Sequence, residues 1–130
     1  MFTTRKLAAG AAALSLGMAG VGLVAVPASA KDGDVIRQGG CSGRADWKIK
    51  ASPENGRIEV EGEIDSNRRG QTWSWQMRHN GDLTARGSKT TRGRSGSFEV
   101  RRVVVNLRGA DKLTFRATYR GQVCSGSVRF

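Results

Sequence analysis

The chain has 130 residues and a formal net charge of +11, enough for one ordinary domain and no more. One His and two Cys exclude a His-rich metal site and a zinc ribbon. Alternating apolar residues through most of the chain exclude a disordered basic tail.

Residues 1–30 read as a secretory signal peptide. Arg5 and Lys6 open it, an Ala/Gly/Leu/Val stretch runs from Leu7 to Val26, and Pro27 precedes the small-x-small site Ala28-Ser29-Ala30. About 20 apolar residues would also just span a bilayer, but Gly10, Gly17, Gly20 and Gly22 and the Ala-x-Ala site favour cleavage after Ala30. Cleavage removes two cations and no acid, which leaves +9. The expected location is therefore extracellular, with no integral membrane segment in the mature protein. In that oxidising compartment Cys41 and Cys124 are expected to form a structural disulfide. Closing so long a loop stabilises a fold by about 4–5 kcal/mol in the chain-entropy model. A reactive or metal-binding pair lacks an activating His or a further thiol nearby.

Residues 31–40 are polar and Gly-rich and read as a flexible lead-in to a single domain over 41–130. Asp32-Gly33-Asp34 lacks the later ligands of a calcium loop. From Ala45 onward the apolar period is two. Trp47, Ile49 and Ala51 alternate with lysines; Ile58, Val60 and Ile64 with Glu59, Glu61, Glu63 and Asp65. Trp73, Trp75 and Met77 alternate with Thr72, Ser74 and Gln76, and Leu113, Phe115, Ala117 and Tyr119 with Lys112, Thr114, Arg116 and Thr118. Cys124, Gly126, Val128 and Phe130 share one face. Turn signals such as Pro53 to Gly56, Asn67 to Gly70, Asn80-Gly81, Gly93 to Gly96, Gly109 and Gly121 separate the runs.

These runs predict strands at 44–51, 57–65, 71–78, 82–88, 96–105, 112–119 and 122–130. Parity favours a three-residue loop His79-Asn80-Gly81, pairing Arg78 with Asp82 and Met77 with Leu83. Phe98 and Val100 are out of phase with Val103 and Val105, which suggests a bulge at Arg101-Arg102. The expected fold is all-β, an immunoglobulin-like antiparallel sandwich of about seven strands, with a small closed β-barrel as the alternative. A parallel neighbour relation between the first and last of these strands would bring Cys41 to Cys124.

The runs Trp47-Lys48-Ile49-Lys50, Gly56-Arg57-Ile58-Glu59-Val60-Glu61, Asp65-Ser66-Asn67-Arg68 and Gly70-Gln71-Thr72-Trp73, with the closing Cys124 to Phe130, resemble a group of small secreted proteins of high-GC Gram-positive bacteria. The resemblance covers most of the chain after residue 30. It implies export and a compact β domain with the disulfide, and it carries over no activity and no site residues.

The acidic row Glu59, Glu61, Glu63 and Asp65 has the spacing of a carboxylate pair for glycoside chemistry, about 6.5–7 Å between alternate residues. Pairing Lys50 with Glu59 and Lys48 with Glu61 across the Pro53–Gly56 turn explains the row without catalysis. An enzyme reading would rest on Glu61 or Glu63. Trp73 and Trp75 could form a stacking platform, but the polar opposite face of their strand places them in the core with Trp47. His79 reads as a solvated turn residue. The sequence supports no catalytic residues, no metal site and no small-molecule cofactor.

Charge is more informative. Residues 31–65 carry 6 basic and 8 acidic side chains, residues 66–130 carry 14 and 3. Alternating strands place Arg68, Arg69, Lys89, Arg92, Arg94 and Arg120 in loops at one pole, beside the disulfide, and leave the other pole nearly neutral. Such a pole concentrates polyanions, and guanidinium forks suit phosphate and carboxylate. Against this, Arg outnumbers Lys 15 to 5 after residue 30, and codon bias alone could supply that excess. The expectation is a secreted, monomeric, non-enzymatic binding module of the cell envelope. Its partner would be an anionic polymer: teichoic acid, acidic glycan or nucleic acid. The alternative is a protein-recognition domain, an inhibitor or effector, using the same loops.

Overall fold

Two-residue periodicity puts one side of every strand under a common core, and the fold follows from pairing those sides. A computed structural model describes residues 33–130; the expected signal peptide and the Ala30 cleavage site lie outside the described residues. The strands are β1 (Val35–Gly40), β2 (Asp46–Glu54), β3 (Arg57–Asp65), β4 (Thr72–His79), β5 (Asp82–Thr90), β6 (Ser97–Val105), β7 (Lys112–Tyr119) and β8 (Gln122–Arg129). They form two antiparallel four-stranded sheets, ordered β1-β2-β3-β6 and β5-β4-β7-β8. The result is the all-β sandwich expected from the sequence, not a closed barrel.

The inward row of the first sheet includes Ile49, Ala51, Ile58, Val60, Ile64, Phe98 and Val100. It meets Trp73, Trp75, Met77, Leu113, Phe115 and Ala117 of the second. Phe115 needs a gap to enter. Gly62 supplies it, because a Cβ there would lie 2.5 Å from the Phe115 ring. Trp47 lies half-buried at the rim of the core, in contact with Gly39 beside it and Gly126 across the sandwich. The disulfide Cys41–Cys124 forms, with a sequence separation of 83.

Five local expectations need correction. Residues 35–40, expected as flexible lead-in, form an eighth strand that pairs with β2 from Val35↔Ala51 to Gly40↔Asp46. Strands β2 and β8 are not parallel neighbours; they lie in facing sheets, so the disulfide is an inter-sheet bond. Asn55 and Gly56 both have positive φ, the signature of a two-residue turn, so the register becomes Lys50↔Glu61 and Lys48↔Glu63.

The Asn80-Gly81 hairpin is likewise a two-residue turn, with φ of 51° and 90°. His79 faces Asp82, and the parity conflict is absorbed by a register shift between Met77 and Arg78 that sets Met77 opposite Ala85. The bulge expected at Arg101-Arg102 is absent, since β6 pairs with β3 without interruption. Val104, not Val103 or Val105, continues the buried row, and Arg102 occupies an inward position with its guanidinium 5.1 Å above the Trp75 ring. A cation–π contact there fills the inward position that periodicity reserves for an apolar side chain.

Candidate polyanion-binding surface

Two loops cross between the sheets side by side: residues 66–71 from β3 to β4 and residues 91–96 from β5 to β6. Thr91, 1% exposed, fastens them together. Its hydroxyl donates to the Arg68 carbonyl and accepts from Gln71 N–H, while its backbone exchanges bonds with Gly70 and Gln71. Ser66 N–H donates to the Gly96 carbonyl at 3.0 Å. Gly96 combines a φ of 69° with direct contact on the Arg68 backbone, leaving no room for a side chain.

These locks bring together the loops that carry Arg68, Arg69, Arg92 and Arg94, and all four side chains are exposed. Arg120 emerges at the same end. It sits 5.4 Å above the Tyr119 ring, which stacks on Trp73 at the start of β4. Lys89 lies within β5, opposite Trp73, rather than in the loop. Arg44 belongs to this surface too and was missed. It lines a shallow pocket of about 350 Å³ with Ser66, Asn67 and Arg68. No periodic or turn signal marks it; only the disulfide, which draws the 41–45 loop against β8, puts it there. Ser42 N–H donating to Val123 O and Ala45 N–H donating to Gln122 Oε1 hold that loop in place. Among the described residues, none of these seven cations lies within ion-pair distance of a carboxylate.

The acidic row on β3 behaves differently. Lys48 pairs with Glu63 at 3.3 Å and Lys50 with Glu61 at 3.6 Å, while Arg101 reaches Glu59, Glu61 and Glu99. Ion pairing therefore accounts for Glu59, Glu61 and Glu63, with the cross-strand pairs two residues away from the expected register; Asp65 lies opposite Asp46 and instead accepts Asn67 N–H. A side-chain hydrogen bond with Glu99, then burial, hold the Glu61 carboxyl above the usual carboxylate range, against the pull of Lys50 and Arg101. The same bond to Glu61 lowers Glu99, against its own desolvation.

Trp73 and Trp75 are core residues, 0% and 6% exposed, and form no surface platform. His79 is not a solvated turn residue: its side chain is 10% exposed and bonds to Asp111. No group of three or more metal-ligating side chains occurs among the described residues. No described helix is long and apolar enough to cross a membrane.

No family model matches the chain, and no curated protein matches it. Among solved structures, the crystal structure of a Br derivative of BhCBM56 aligns with a TM-score of 0.38 and 20% identity, over 71% of this chain and 98% of that one. Likeness of this degree says nothing about ligands.

Proposed function

We propose that the protein is a secreted, non-enzymatic binding module for anionic polymers, engaging them through the cationic pole of Arg44, Arg68, Arg69, Lys89, Arg92, Arg94 and Arg120. One observation carries the reading. Cations beside the acidic row are paired, whereas those of the pole are exposed and without a carboxylate partner among the described residues. Free guanidinium groups on a loop pair held by buried hydrogen bonds are preorganised for bidentate contacts to phosphate or carboxylate. Export of the chain and its kinship with small secreted proteins of high-GC Gram-positive bacteria belong to the same proposal.

The test is binding to teichoic acid, an acidic glycan and single-stranded DNA over a salt series, with Arg92→Ala/Arg94→Ala alongside. Binding that weakens steeply with salt and drops in the double variant supports the pole, because each neutralised anion releases counterions. Binding no stronger than that of a generic cationic control protein to the same polymers rejects it. The same locked loops could instead form a rigid protein-recognition surface; salt-insensitive binding to one protein would establish that reading.

A further inference from the structure

The strand register sorts the remaining charges by face. The outer face of β1-β2-β3-β6 carries Asp34, Asp46, Glu54, the β3 acids and Glu99, with its cations largely paired to them. The outer face of β5-β4-β7-β8 carries Arg78, Arg86, Lys112, Arg116 and Arg129 and no acid at any ladder position. Asp82, the acid nearest in the ladder, faces His79 and so belongs to the inward parity. All five cations are exposed, and none has a carboxylate partner among the described residues. The other positions of this face are mostly Ser, Thr and Gln.

A shallow depression of about 420 Å³ lies at its centre, lined by Arg86, Arg116, Gln76, Ser74, Ser88 and Thr118, with Trp75 and Gly87 between them. Arg86, Gln76 and Arg116 form one cross-strand row. The two arginines stand two strand spacings apart, about 9.5 Å between backbones, with the Gln76 amide between them.

We infer that this sheet face is the track on which an extended phosphodiester-linked polyol lies, with its phosphates on the arginines and its hydroxyl groups on the Ser, Thr and Gln side chains. The inference rests on the anionic-polymer reading and extends it from the pole to a named face and occupant. Charge complementarity selects a polyanion. The one aromatic residue that lines the depression, Trp75, is 6% exposed and offers too little of its indole for a base or a sugar ring to stack on. Single-strand binders depend on such stacking. A flexible polyol phosphate does not.

The probes are poly(glycerol phosphate), polygalacturonate and poly(dT), titrated at 50–200 mM salt. The variants are Arg86→Ala/Arg116→Ala on the face and Arg92→Ala/Arg94→Ala at the pole, with thermal unfolding to confirm that each folds. The expected result is preference for poly(glycerol phosphate), at least tenfold weaker binding by the face variant, and a log–log salt slope shallower by about 1–2. A face variant that binds like the parent while the pole variant fails overturns the track and leaves the pole reading intact. Preference for poly(dT) or polygalacturonate overturns the occupant. No binding to any probe by the parent overturns both readings.

Discussion

His79 Nε2 lies 2.6 Å from Asp111 Oδ1, and the Asp111 side chain is fully buried. The carboxylate also accepts Leu107 N–H at 3.3 Å, and the Asn106 amide, turned to the orientation that satisfies its hydrogen bonds, donates to Oδ2 at 3.1 Å. The Asp111 backbone exchanges two hydrogen bonds with Phe130, just beyond β8. Asp111 thus ties the β4–β5 hairpin and the β6–β7 loop together through its carboxylate, and the end of β8 through its backbone.

Asp111→Ala is expected to cost about 3 kcal/mol, because removing the buried carboxylate strands the largely buried His79 ring together with the Leu107 N–H. Urea unfolding measures this. A loss within about 0.5 kcal/mol, the range of ordinary surface changes, would mean that the cluster is rebuilt around water.

Gly126 is where the Trp47 indole rests, and no Cβ fits between them. Overpacking makes Gly126→Ala unfavourable by about 1–3 kcal/mol. Shortening the aromatic side chain as well, in Trp47→Phe/Gly126→Ala, should recover part of that loss, since contacting residues couple. Strict additivity of the two single changes would count against the contact.

The Cys41–Cys124 bond spans 83 residues and joins the facing sheets. Cys41→Ala/Cys124→Ala should lower stability by about 4 kcal/mol. That is a large share of the roughly 5–15 kcal/mol that a small domain possesses. The urea midpoint of the double variant, compared with the oxidised parent, reads it directly.

Glu61 gives a pH signature. Its raised pKa means that the folded chain takes up this proton at higher pH than the unfolded chain does. Ionising Glu61 therefore weakens the fold as pH rises through that value. Glu99, lowered, acts in the opposite sense: its contribution is present above the unfolded value and is lost as pH falls. Glu61→Gln mimics the protonated form, so its stability relative to the parent should be greater at pH 7 than at pH 4. Urea midpoints of both proteins at the two pH values test this, and a difference larger at pH 4 would contradict it.

Strand identity was legible because alternation is a local property. Trp73, Trp75 and Met77 face inward, and their polar neighbours face out, whatever the partner strand. The disulfide was legible because two cysteines in a chain whose sequence reads as exported have one another as the expected partner. Register was not. The Met77/Arg78 shift and the Lys50↔Glu61 pairing depend on whether each turn takes two residues or more, a choice governed by backbone dihedrals at Asn55, Gly56, Asn80 and Gly81. Arg102 misled the periodic reading because a guanidinium over Trp75 takes an inward position that alternation assigns to an apolar residue.

Composition and periodicity alone therefore settled an all-β chain with a basic second half and one disulfide, since these depend on residue types and nearest neighbours. Only tertiary structure decided that β2 and β8 face each other across the core, that Arg44 joins the pole, and that His79 is buried on Asp111. It also decided that acids and unpaired cations occupy opposite faces. Each of those facts joins residues far apart in the chain, and long-range contacts are set by how two sheets stack, which no local pattern encodes.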